Sequence, residues 1–239
     1  MGNLLSIDWD FFFPIPEIDR EFLYDWGHRE DFAFMLDGIW DIRAAAFLGR
    51  KKPLPDTNGE EKTFWDRFTF APNTKLYFAD SHSQAVSPKV SKDISIVWNF
   101  DAHHDAYTSI AEVIKKMKVD CGSWMIAYHL HLAKLKVVYP AWKHWAKEYE
   151  KPYIPSLRIS IDKGKRVPLV FDKIFLCRSG AWTPTWIEDK FWKFIEDCPV
   201  KEKVVLDSMK PRVYDEDKAV EIMKQTRILM KEVESGRRT

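Results

Sequence analysis

Asp101, His103 and Asp105 occupy alternate positions in Asp101-Ala-His103-His104-Asp105, directly after the apolar run Ile94-Ser-Ile-Val-Trp-Asn-Phe100. In an extended segment alternate side chains share a face, so two carboxylates and an imidazole would project together from a strand end. That is half of a cation site. A second apolar run, Leu4-Leu-Ser-Ile7, ends in Asp8-Trp9-Asp10-Phe-Phe-Phe-Pro14, where Asp8 and Asp10 again fall on one face. A third, Lys75-Leu-Tyr-Phe-Ala79, ends in Asp80-Ser81-His82-Ser83. Carboxylates with a minority of imidazoles make a hard, oxygen-rich donor set, which suits Mn²⁺ better than Zn²⁺. Two such ions about 3.5–4 Å apart activate a shared water as a nucleophile. His104 sits beside these donors but points to the opposite face if the strand stays regular.

The elements that must position these residues follow from apolar periodicity. Helical spacing over Arg29 to Leu48 (Phe32, Met35, Leu36, Ile39, Ile42) predicts a helix stopped by Gly49. Lys51 to Glu61, with two prolines and Asn58-Gly59, reads as a loop. Further helices are expected over Thr108–Lys118, Ser123–Leu135, Ala141–Glu150 and Asp215–Lys231, with a disordered polar tail over Glu232–Thr239. Strands are expected at Lys136–Tyr139, Val167–Phe171, Lys173–Cys177 and Lys203–Leu206. Alternating strands and helices without a domain boundary imply one α/β domain, a largely parallel sheet with helices on both faces. Ligands in such folds sit at the carboxyl ends of the strands. All three donor clusters follow their strands.

Bulk properties narrow the function classes. The 239 residues carry 37 basic and 36 acidic side chains, a formal net charge of +1, which argues against electrostatic recruitment to nucleic acid or an anionic membrane. No apolar run approaches the ~18 residues of a transmembrane helix. Three widely spaced cysteines (Cys121, Cys177, Cys198) read as thiols in a reducing compartment, so a cytoplasmic location is expected.

Asp101-Ala-His103-His104-Asp105 resembles the Asp-Ala-His-x-Asp signature of the ureohydrolases, the arginases and agmatinases. Ser6-Ile-Asp8-Trp-Asp10-Phe-Phe-Phe-Pro14 is similar to their Ser-x-Asp-x-Asp-x-x-Asp-Pro signature, with Phe13 in place of the third Asp. Asp80-Ser-His82-Ser83 resembles their Gly-Asp-His-Ser segment. The resemblance implies a binuclear manganese centre with two Mn²⁺ per chain held by Asp8, Asp10, His82, Asp101, His103 and Asp105. It also implies an order of motifs that is permuted relative to the family, because the Asp-x-Asp strand comes first here. Short length, Asp-Trp-Asp-Phe-Phe and Cys121-Gly-Ser-Trp124 look most like the divergent peptide arginases. That likeness implies hydrolysis of an arginine side chain in a precursor peptide to ornithine and urea. Asp105 would orient the attacking water while ligating metal, and Asp80 would hold His82 from behind. The family's downstream His-Gly proton shuttle has Cys121-Gly122 as its nearest counterpart, which leaves His104 as a catalytic candidate beside the site.

Other readings stand beside these. An Asp-x-Asp after a strand also serves haloacid-dehalogenase-type phosphatases, although Phe12 stands where they prefer Thr or Val. A catalytically inactive fold acting as a binding module is a third class, and an enzyme for free arginine or agmatine a fourth. Asp120 is either a contact for the substrate guanidinium or a helix N-cap. Trp26, Trp124 and Trp142, with Phe64-Trp65, either line an open aromatic groove for a peptide or belong to the core. A polypeptide backbone is neutral at the arginine Cα, whereas a free amino acid needs buried partners for its α-charges. The stretch after Asp105 offers little beyond Thr108 and Ser109 for that purpose.

Overall fold

Seven short runs rich in β-branched and aromatic residues form strands: β1 (Gly2–Asp8), β2 (Thr69–Ala79), β3 (Ile94–Phe100), β4 (Lys134–Tyr139), β5 (Arg158–Ile161), β6 (Val170–Cys177) and β7 (Glu202–Val205). They build one sheet in the order β5-β4-β3-β1-β6-β2-β7, and every neighbouring pair is parallel. The computed structural model of the chain describes residues 1–14, 33–144 and 151–235. Its described helices are α1 (Ala33–Gly49), α2 (Ile110–Lys116), α3 (Trp124–Leu130), α4 (Glu188–Asp197) and α5 (Glu216–Glu234), besides single turns.

The period of two along each strand divides the core. Leu5, Ile7, Leu76, Phe78, Ile174 and Leu176 face one side, where Phe191, Phe194 and Ile195 of α4 meet Phe11, Phe12 and Phe64. Leu4, Tyr77, Val97, Val137 and Phe175 face the other, covered by Val113 of α2 and Met125 and Ile126 of α3. Both faces of the sheet are therefore covered, as a parallel sheet requires. α1 and α5 pack against each other, joined by Lys218–Asp41 and by Arg227 donating to the Gly49 carbonyl at 3.1 Å.

Chain order reverses at β1, which lies between β3 on one side and β6 and β2 on the other. A crevice at the carboxyl end of the central strands follows from that reversal. β1, β3 and β2 are the three strands that end in donor residues.

Several element bounds differ from the sequence expectations. Of the expected strand Val167–Phe171 only Val170 and Phe171 are extended, and they run on through Lys173–Cys177 as one strand, β6; β2 starts at Thr69, six residues before the run that predicts it. The helix expected over Ser123–Leu135 stops at Leu130; Leu132 takes a positive φ of 61° and the chain turns into β4. α5 continues through Glu234, so the expected tail is helical at its start, while residues 236–239 lie outside the described residues. Residues 29–32 and 145–150 of two expected helices also lie outside them, and Ala141–Lys143 forms a 3₁₀ turn. β5, only four residues long, and α4 were not anticipated. The spacing of Phe191, Phe194 and Ile195 carried a helical signal for α4. No helix among the described residues is long and apolar enough to cross a membrane.

Candidate metal centre

Each donor cluster forms where a strand breaks, and the break supplies the geometry. β1 ends at Asp8 and passes into a 3₁₀ turn, Trp9–Phe12, capped by Asp8, whose Oδ1 accepts from the Asp10 amide at 3.1 Å. β3 ends at Phe100, and Asp101–Asp105 is a loop in which Asp101 Oδ1 accepts from the His103 amide at 2.6 Å. Asp105 sits in the left-handed region, φ 49°, a strained conformation for a non-glycine residue that turns its carboxylate back over the sheet. After β2, Ser81 caps the turn His82–Val86. Strand alternation is thus the wrong mechanism for the convergence of Asp8 with Asp10 and of Asp101 with His103 and Asp105. Capped turns and a left-handed residue bring them together instead.

All six expected ligands meet. His103 Nδ1 lies 2.8 Å from Asp10 Oδ2 and 3.6 Å from Asp101 Oδ1. His82 Nδ1 lies 3.1 Å from Asp8 Oδ2, 3.4 Å from Asp101 Oδ2 and 3.2 Å from Asp105 Oδ2. Asp101 therefore presents one oxygen to each imidazole. Asp10–Asp101–His103 and His82–Asp101–Asp105 are two ligand groups that share this carboxylate. A shared, bridging carboxylate is what two adjacent cations need.

The electrostatics favour cations at this place. Asp8, Asp10, Asp101 and Asp105 are all buried, and His103, the most accessible of the six, is 19% exposed. Burial alone would lower the His103 pKa, but Asp10 and Asp101 raise it to about 9. Burial dominates at His82, and the neighbouring His103 adds to it, so despite Asp101 its pKa falls to about 4. Burial raises the Asp101 carboxyl, yet His103, His82 and Asn99 hold it below the usual range. The His103 imidazolium thus sits among four closely packed, buried carboxyl groups. Uncompensated buried charge costs several kcal/mol per ion. Divalent cations bound between the two imidazoles would compensate it, so the donors fit a binuclear centre of hard ions.

Neighbouring groups fix the donors. Ser6 Oγ lies 2.7 Å from His82 Nε2 and so orients the ring with Nδ1 toward the carboxylates. The His82 ring stacks between Trp124, 4.5 Å between centroids, and Phe175 at 5.5 Å. Trp124 Nε1 donates to Asp105 Oδ2 at 2.5 Å, and Asn99 Nδ2 donates to Asp101 Oδ2 at 2.8 Å. Trp182 packs against the His103 ring at 4.6 Å on the more open side. The costs of burying Asp10 are offset by its neighbours Trp9, Phe11 and Phe12, fully buried rings worth about 1.5–3 kcal/mol each.

Other sequence expectations are corrected. Asp80 does not hold His82: Arg178 Nε donates to its Oδ1 at 2.5 Å, and Ser6 takes the orienting role. His104, expected to face away from the donors, is buried and belongs to none of the ligand groups; its Nδ1 accepts from the Ala106 amide at 3.0 Å and its ring stacks on Tyr107. Asp120 belongs to the turn before α3, where Ser123 Oγ donates to its Oδ1 at 2.5 Å; Ser123 is the N-cap of that helix, so Asp120 does not cap it. Trp124 is fully buried, stacked on His82. Phe64 and Trp65 are core residues too, while Trp142 is half-buried with Nε1 donating to the Phe11 carbonyl. These rings form no open groove, and Trp26 lies outside the described residues.

Two features escaped the sequence reading. Cys177, at the end of β6, lies with Asp8 and His82 in a third ligand-like group. It closes an apolar run, the same pattern that marked the other clusters. Next to it, the buried Arg178 pairs with Glu188 at 2.6 Å and Arg212 pairs with the same carboxylate at 2.9 Å. Comparison with protein-family models finds no match, and comparisons with curated proteins and with solved structures likewise find none.

Proposed function

We propose that this chain is a binuclear metal-dependent amidinohydrolase, with two Mn²⁺ per chain, that hydrolyses the guanidinium of a peptidyl arginine to ornithine and urea. The observation that carries the reading is the pair of ligand groups sharing Asp101, one oxygen to each side. The ureohydrolase-like motifs supply the substrate class.

Asp10, Asp101 and His103 would hold one cation, and Asp8, His82, Asp101 and Asp105 the other. When bound, the cations supply Lewis-acid activation of a water molecule near neutral pH. The chain's own residues orient the rest. The strained loop at Asp105 and the indole of Trp124 aim one carboxylate into the centre, where it can accept a hydrogen bond from the attacking water. Ser6 and the flanking rings prevent His82 from rotating. Trp182, beside the most exposed ligand, marks the side from which a guanidinium arrives. The attacking oxygen becomes the urea oxygen, the bond between the guanidinium carbon and Nε breaks, and Nε takes a proton to become the ornithine side-chain amine.

A peptide substrate is supported by how the nearby short polar residues are used. Ser109 caps α2 by accepting from the Glu112 amide at 3.2 Å, and Asp120 accepts from Ser123. Both are engaged in turns and are not directed toward the α-charges of a free amino acid.

The test is direct. Mn²⁺-loaded protein incubated with a peptide carrying an internal arginine should produce urea and a peptide lighter by the corresponding mass, with loss of activity and of bound metal in His103→Ala and Asp10→Ala. Preference for free arginine over the peptide by tenfold in kcat/KM, about 1.4 kcal/mol of transition-state stabilisation, would refute the peptide assignment. Full activity in either variant would refute the ligand set.

A further inference from the structure

We infer that Cys177 is a metal ligand, giving the His82 side of the centre a thiolate face and affinity for a thiophilic divalent cation. The inference rests on the proposed metal centre and not on the guanidinium chemistry.

In the parallel pairing, Cys177 of β6 lies level with Asp8 of β1 on one side and with Ala79 of β2 on the other. Both neighbours lead directly into donor residues: Asp8 itself, and His82 three residues beyond Ala79. A side chain at this register position, on the face of the sheet that carries Phe175 and Trp124, is therefore placed between an aspartate and a histidine. The structure shows that arrangement. Cys177 Sγ, a carboxylate oxygen of Asp8 and a ring nitrogen of His82 all lie within 4.8 Å of one another, and all three residues are buried. The sulfur also contacts the Asp80 carbonyl at 3.4 Å, so the thiol is held near the His82 turn.

The chemistry of the two sides then differs. Asp10, Asp101 and His103 offer two carboxylates and one imidazole, a set for a hard ion such as Mn²⁺. On the other side the carboxylates of Asp8, Asp101 and Asp105 and the His82 imidazole are joined by the Cys177 thiolate, a donor that Zn²⁺ and Co²⁺ accept readily and Mn²⁺ does not favour. Binding through sulfur releases the thiol proton and forms one metal–sulfur bond, with no change in oxidation state. The centre is thereby able to hold unlike ions on its two sides, and Zn²⁺ competes with Mn²⁺ on the His82 side.

Co²⁺ titration of the full chain under anaerobic conditions reads the sulfur directly. The expected result is a near-ultraviolet thiolate-to-cobalt charge-transfer band with the intensity of one sulfur per chain. The band should persist in Cys121→Ser and Cys198→Ser and vanish in Cys177→Ser and Cys177→Ala. The visible cobalt bands from the Asp10 side should remain in both Cys177 variants, and their Zn²⁺ affinity should fall by about tenfold or more. Two cobalt ions bound without the band would overturn the assignment, as would a band that survives removal of Cys177. Circular dichroism identifies a Cys177 variant that does not fold; the wild-type band and the two control variants then assign the sulfur by elimination. Absence of any Co²⁺ binding overturns the metal centre together with this inference. Urea formation with Mn²⁺ is scored separately, so failure of the arginine reading leaves a distinct signature.

Discussion

Asp101 carries the most chemical information of any residue in the chain, because its two oxygens face two different imidazoles. Its arrangement depends on less conspicuous neighbours, of which Ser6 is the most instructive. The hydroxyl lies two positions before Asp8 on β1 and contacts the far nitrogen of His82, a residue 76 positions away. Replacing Ser6 with Ala should leave the sheet intact, since the side chain is small and fully buried. His82 would lose the partner that orients its ring. Loss of such an outer partner lowers metal affinity by about 10- to 100-fold. Metal titration of Ser6→Ala is expected to show that drop, and unchanged affinity would mean that the flanking Trp124 and Phe175 rings suffice.

At the scale of elements, what positions the centre is the set of turns that terminate strands. Asp8 caps a 3₁₀ turn, Ser81 caps another, and Asp105 takes a left-handed conformation. The end of β6 is secured differently. Glu188, at the start of α4, receives Arg178 and Arg212 and also Trp192 Nε1 at 2.9 Å, tying that helix to the strand end beside Cys177. Arg178 in turn reaches Asp80 beyond β2. Removing the charge of Glu188 would leave Arg212 without its carboxylate partner and Arg178 with Asp80 alone, a loss of the kind that typically costs about 3–5 kcal/mol. Glu188→Gln should show that loss in chemical denaturation while binding metal with wild-type stoichiometry below its melting temperature, because Glu188 is not in any of the ligand groups.

For the whole molecule, metal binding and folding should be coupled through His103. Its pKa rises from 6.5 to about 9 in the folded chain, so the folded state holds this proton more tightly than the unfolded state. That contribution to stability is fully present below pH 6.5 and disappears as pH rises through 9. A cation must displace the same proton, so metal affinity changes in the opposite sense over the same window. His82 titrates near 4 and is already neutral there. The rise in Tm produced by saturating Mn²⁺ should therefore widen between pH 6.5 and 9. A metal held at 100 times its Kd stabilises by about 2.7 kcal/mol, a shift that calorimetry at several pH values resolves. A shift that shrinks with rising pH would contradict the ligand role of His103.

Much of this architecture was legible beforehand because it is local. Apolar runs of strand length alternating with helical periods specify a parallel α/β sheet, and a carboxylate or imidazole just after such a run specifies where ligands gather. On that basis Asp8, Asp10, His82, Asp101, His103 and Asp105 could all be named from the chain alone. What the chain alone did not reveal concerns neighbours far apart in sequence. Strand order decides that the ends of β1, β6 and β2 lie side by side, and hence that Cys177 joins Asp8 and His82. Packing decides that Trp124 is buried against His82 and that Asp80 answers Arg178, 98 residues away. Residue spacing constrains only what lies within one element; which elements meet is chosen by the burial of both sheet faces together. Tertiary structure therefore assigned the partners, while the sequence by itself determined the donors and the kind of sheet that presents them.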